Sequence, residues 1–164
     1  MLIQERIGVL GSFELRGRVV DVLDLEWYET GKRIMRKRTR SGREVAMRFM
    51  NERPALTEGD VLYADIDLVV VVSIIPCEVM VIRMGELHTV ASVCYEIGNR
   101  HLPLYYEGEE LLAPFEEPLH RWLVAGGYEV SRDVRKLLNP LRSTVVGHAH
   151  AGGGLLSKIL KYRE

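Results

Sequence analysis

The apolar residues of this chain change their period once, at Pro76, and that change limits the fold more than any other feature. Before Pro76, Val45, Met47 and Phe49 fall at every second position, and Leu68 to Ile75 is a block rich in valine and isoleucine. Both are strand patterns. After it, Leu87, Val90, Ala91, Cys94 and Ile97 recur at the spacing of one helix face. Strands first and a mixture afterwards predict an α+β chain in two parts.

Residues 1–75 read as a small all-β domain. Ile7-Gly8-Val9-Leu10 is short and apolar, Arg18 to Leu25 alternates imperfectly, and Glu26-Trp27-Tyr28 follows with strand-favouring aromatics. Thr30-Gly31, Arg40 to Arg43 and Thr57 to Asp60 are turn signals between strands. Seven basic residues crowd this half: Lys32, Arg33, Arg36, Lys37, Arg38, Arg40 and Arg43. They are either a docking surface for an acidic protein or a phosphate backbone, or charges that keep a sheet edge from pairing with other chains.

Pro76 cannot donate to a central ladder and marks the boundary. Cys77 to Met84 reads as a strand and Leu87 to Ile97 as a helix, with Gly98 as its left-handed cap and Pro103 barring continuation. Glu107-Gly108-Glu109 is the turn of a hairpin. Pro118 opens a second helix that turns Leu119, Trp122 and Leu123 to one side and stops at Gly126-Gly127. Tyr128 to Val134 is a last strand. The order β-α-β-β-α-β is the ferredoxin-like arrangement, here over residues 76–140. Residues 141–164 form a tail, with a Gly147–Gly154 stretch that is flexible by composition and a short amphipathic end at Leu155, Leu156, Ile159 and Leu160.

Composition excludes more than it assigns. A formal net charge of -1 supplies no field for nucleic acid or anionic membrane. The apolar run Leu68 to Cys77 is broken by Ser73 and Pro76, well short of the roughly 20 residues a spanning helix needs. The first residues lack the basic-then-apolar order of a signal peptide. Two cysteines, Cys77 and Cys94, with no CxxC pairing, suit a reducing cytoplasm rather than a disulfide framework.

The chemistry concentrates at His101, in the turn Tyr95 to Pro103. A helix C-terminus carries partial negative charge and unpaired carbonyls, which favour a cation. Neutral imidazole suits nickel, zinc and copper. His148 and His150 in the tail form a His-x-His pair whose rings project to one side when extended. One histidine is not a site, but a two-fold dimer would supply a His101 from each chain and tail histidines could complete the set. Arg100 argues the other way, since a neighbouring cation repels a metal. His88 and His120 lie off the apolar faces and read as surface residues, and Cys94 as a small core residue.

Tyr95-x-Ile97-Gly98-Asn99-Arg100-His101-x-Pro103 resembles the signature of the UreE family of urease accessory proteins, which are nickel metallochaperones. Thr39-x-x-Gly42-x-Glu44 and Leu56-x-x-Gly59-Asp60-Val61-Leu62 are similar to the family's β-domain, so the resemblance covers nearly the whole chain. It implies a homodimer binding nickel through His101 of each chain, with zinc as a competing ion and His148 and His150 as looser candidates. It implies a partner-binding β-domain, no catalytic activity, and delivery of nickel to apo-urease with the accessory GTPase UreG and the other assembly proteins. The tail lacks a polyhistidine run, so one or two ions per dimer are expected rather than storage.

Two other classes compete. A metal-dependent hydrolase could use His101 with Glu96 as general base, though catalytic zinc normally has three protein ligands. An RNA-binding module could use residues 32–43 with Trp27 and Tyr28, against the near-neutral charge of the whole.

Overall fold

The computed structural model describes residues 1–50 and 54–141, which form eleven strands and two helices. The strands before Pro76 are β1 (Leu2–Ile3), β2 (Gly8–Val9), β3 (Val19–Leu25), β4 (Ile34–Arg38), β5 (Glu44–Arg48), β6 (Asp60–Ala64) and β7 (Leu68–Ile74). One sheet runs β1-β5-β4, with β1 parallel to β5 and β4-β5 a hairpin. A second runs β2-β6-β7-β3, with β3 parallel to β7. The period-two residues Val45 and Met47 point from the first sheet into one core with Leu23, Leu25, Val70, Val72 and Ile74 of the second. Each such side chain, removed from water, contributes about 2 kcal/mol.

Trp27 does not prolong β3. Trp27–Glu29 form a turn of 3-10 helix, closed by the Glu29 carboxylate accepting from the Glu26 amide and by Thr30 Oγ1 donating to the Trp27 carbonyl. This local hydrogen bonding outweighs the strand preference of the aromatics. The turn swings Trp27 toward the second half, where its ring meets Tyr105 edge-on at 6.5 Å.

The basic stretch is mostly spoken for. β4 is a sheet edge, and five of the seven cations are ion-paired: Lys32 and Lys37 with Glu29, Arg38 with Glu44, Arg40 with Asp24 and Arg43 with Asp21. That is what edge protection requires, and it leaves little of the phosphate-binding surface an RNA reader needs.

After Pro76 come β8 (Cys77–Arg83), α1 (Leu87–Asn99), β9 (Tyr105–Glu107), β10 (Glu110–Pro114), α2 (Glu117–Ala125) and β11 (Val130–Arg135). Their sheet runs β11-β8-β10-β9, antiparallel throughout, which is the ferredoxin-like order. Met80, Ile82, Leu111 and Ala113 of the sheet pack against Val93 and Ile97 of α1 and Leu119 and Leu123 of α2. The buried face of α1 differs from the expected one. Val90, Val93, Cys94 and Ile97 pack inward, whereas Leu87 is 85% exposed and Ala91 is also outside. Helix spacing alone could not separate two neighbouring apolar stripes.

The segment after β11 ties the two halves together. Lys136 Nζ donates to Glu58 Oε1 at 2.8 Å and to Ser73 Oγ at 3.1 Å. Leu137 is buried with Val79, Val81, Tyr105 and Leu112 against Trp27. Residues 139–141 then run along the outer edge of β9, with the Tyr106 amide donating to the Asn139 carbonyl and the Leu141 amide to the Leu104 carbonyl. Leu137→Ala is expected to cost about 2 kcal/mol, at the low end for a buried leucine because neighbours at a seam can relax. Urea unfolding followed by tryptophan fluorescence measures it.

Candidate metal site

α1 ends in a way that explains the conformation of His101. Arg100 is the last half-helical residue, and His101 has φ +56°, the left-handed region. The His101 amide donates to the Gly98 carbonyl at 3.0 Å and the Leu102 amide to the Ile97 carbonyl at 3.3 Å. These two bonds, with the apolar Ile97 and Leu102 in one cluster, are a Schellman cap. Gly98, expected to be the left-handed residue, lies inside the helix instead. The cap needs an apolar residue right after the left-handed one. Leu102 supplies it for His101, whereas Asn99 could not have done so for Gly98. That apolar pairing was the signal in the sequence.

α2 ends with the same two bonds. Gly127 donates to the Val124 carbonyl and Tyr128 to the Leu123 carbonyl, and Gly127 has φ +76°. One helix therefore puts glycine at the left-handed position and the other puts histidine. The left-handed region disfavours a side chain by about 1 kcal/mol, so histidine there costs stability that glycine would not. Residues held this way concentrate at functional sites.

The cap also revises the electrostatics. The carbonyls of Glu96, Ile97 and Gly98 accept from Arg100, Leu102 and His101, so they are not unpaired, and the dipole of α1 is what remains to attract a cation. Arg100 does less harm than its position suggests. Its guanidinium is held by the Glu96 carboxylate one turn back, Nε at 3.0 Å and a terminal nitrogen at 2.9 Å. The same pair engages Glu96, the general base of the hydrolase reading.

The His101 side chain is exposed. Among the described residues there is no group of three His, Cys, Asp or Glu side chains able to hold an ion. His88 sits in the first turn of α1, at the opposite end from His101, and is exposed. His120, half-buried on α2, packs its ring against Phe115 at 5.5 Å. Burial pushes the thiols of Cys77 and Cys94 up from their ordinary values, the opposite of what a ligand or nucleophile requires. His148 and His150 lie outside the described residues. The chain nevertheless leaves the described region close to His101: Leu141 is bonded to Leu104, and no more than about 11 Å of backbone separates Leu104 from His101.

The outer face of α1 leads to the same place. Leu87, Ala91 and Tyr95 are exposed at successive turns, with Tyr95 at 73%, and no described residue covers them.

Fold and site together define a class: a two-part α+β chain that offers one imidazole on the surface at the end of a helix. The comparisons give it a family. The model of the UreE urease accessory protein N-terminal domain matches residues 3–74, and that of the UreE C-terminal domain matches residues 77–154. The urease accessory protein UreE of Flavobacterium johnsoniae is 44% identical over 161 residues, covering 98% of both chains. That of Acetivibrio thermocellus is 36% identical over 151 residues, 92% of this chain and 98% of that one. That of Actinobacillus pleuropneumoniae is 36% identical over 152 residues, 90% of this chain and 81% of that one. The chain belongs to the UreE family of urease accessory proteins.

Proposed function

We propose that this protein is a nickel metallochaperone of urease assembly, working as a homodimer in the cytoplasm. One nickel ion binds where two copies bring their His101 side chains together, and His148 or His150 of the tails completes the coordination. The ion passes to apo-urease in company with the accessory GTPase UreG and the other assembly proteins. The observation that carries this reading is His101 itself, a strained and exposed histidine where the sister helix has glycine, in a chain of the UreE family.

Other features support it. No helix of the described residues is long and apolar enough to cross a membrane. One imidazole per chain calls for a second copy, and the uncovered stripe Leu87, Ala91 and Tyr95 offers a face for it. His148 is seven residues past Leu141, a reach of up to about 25 Å, enough to return to His101. An open site with exchangeable tail ligands suits capture and release.

Calorimetric titration with nickel, beside a chain truncated before Gly147, tests the proposal. The full chain is expected to take up one tight ion per two copies. The truncated chain should keep that stoichiometry with affinity about tenfold lower, the effect of losing a supporting ligand rather than the principal one. Zinc competition in the same experiment reads selectivity, since imidazole accepts both ions. The full chain must also raise the activity of urease matured with limiting nickel. A chain that binds no nickel, or binds it without any effect on maturation, would overturn the proposal.

A further inference from the structure

Resting on the homodimer reading above, we infer that Gly98 is the point where the α1 helices of two copies meet, its missing side chain letting the two His101 imidazoles approach one ion.

Gly98 is the one glycine inside either helix of the described residues. Glycine is a poor helix former, because it gives up the most backbone freedom and adds no packing. At the end of the other helix the chain itself accounts for glycine. Gly127 takes a left-handed φ, and a Cβ on Gly126 would come within 2.7 Å of the Tyr128 ring. Gly98 has neither reason. It is exposed, its backbone is helical, and a Cβ built there would meet nothing within 4 Å. Whatever excludes a side chain at this position lies outside the described residues.

The helical wheel says what it is. At 100° per residue Leu87, Ala91, Tyr95 and Gly98 fall within an arc of about 80°, with Gly98 at the His101 end. The arc is exposed and carries no charge, while Glu96 and Arg100 lie on another side of α1. A two-fold axis sets each residue of a face against the same face of the other copy, so a charged face would repel itself and this one does not. Leu87 and Tyr95 supply the apolar area, and Gly98 lets the backbones close at the end where the imidazoles must converge.

Substitution at Gly98 should therefore move two quantities in opposite directions. By sedimentation, Gly98→Ala is expected to weaken dimerisation about tenfold and Gly98→Leu a hundredfold or more, as overpacking at a close contact does. Nickel uptake per chain falls in parallel at concentrations where the parent is dimeric. In a Tyr95→Glu background, which keeps the chain monomeric, Gly98→Ala should raise the melting temperature by about 2–4 °C through helix propensity alone. A merely structural glycine would give a lower melting temperature and an unchanged dimer, and that result overturns the inference. If the parent dimerises and needs His101 for nickel while the Gly98 series dimerises like the parent, the role of Gly98 falls and the metal reading stands. If the parent is a monomer, both fall.

Discussion

His101→Ala is expected to bind nickel at least a hundredfold more weakly than the parent while folding normally. The affinity estimate follows from coordination. In the proposed site a ligand bond is lost on each of two chains at once, more than the ten- to hundredfold that a supporting residue is worth. The folding estimate follows from exposure, because the ring contributes no core packing and the cap is made by backbone amides that alanine retains. His101→Gly separates the two effects further. It should lose nickel to the same extent yet gain about 1 kcal/mol in urea unfolding, since glycine relieves the left-handed strain at φ +56°. Calorimetry and denaturation on the three proteins measure this. If the alanine variant binds nickel like the parent, His101 is not the ligand. A destabilised glycine variant would mean instead that the imidazole makes a contact the fold depends on.

Much of this architecture could be read from the sequence because it rests on local signals. The alternation of Val45, Met47 and Phe49, the valine block of β7, and the Leu119–Leu123 face of α2 are each decided by neighbours a few residues away. All three are buried as the patterns require. The failures have separate causes. Leu87 and Ala91 are apolar yet outside, and the sequence does not say whether an apolar residue faces its own core or another molecule. Trp27 leaves the strand because Glu26, Glu29 and Thr30 close a turn, a competition between side-chain and ladder hydrogen bonds that propensity does not weigh. The cap was misplaced by three residues because glycine is the usual left-handed residue, and only the Ile97–Leu102 pairing points to His101. The site itself was legible as a residue and not as a geometry. Its motif lies in one stretch, whereas the other ligands proposed for it belong to other segments or to another copy.

The second large effect concerns stability. Asp21→Ala is expected to cost about 3 kcal/mol, far above the effect of removing an ordinary surface charge. Asp21 on β3 is buried, and its carboxylate gathers the turn between β4 and β5. Oδ1 accepts from the amides of Val22 and Ser41, and Oδ2 from the Ser41 hydroxyl and from Arg43 at 2.9 Å. Removing it cuts four hydrogen bonds to a charged acceptor, each stronger than a neutral one, and unties the exposed Ser41 and Arg43 of the turn from β3. The charge state gives a second signature. Burial by itself pushes the Asp21 carboxyl up, but the hydroxyls of Ser41 and Thr39 and the Arg43 guanidinium outweigh it and hold it well below the usual carboxylate range. A group with a depressed folded value stabilises the protein fully above its unfolded value, near 3.9, and loses that contribution as pH falls toward the folded one. The difference in unfolding free energy between the parent and Asp21→Asn should therefore be full at pH 7, hold to about pH 5, and shrink steadily below pH 4. A difference that stayed constant down to pH 3 would mean that the ionised carboxylate is not what fastens the turn. Because Arg43 is drawn into this arrangement and Arg40 is paired with Asp24, the basic stretch is part of the fold's own fastening. Loosening it should therefore lower stability at neutral pH and leave nickel stoichiometry at His101 untouched.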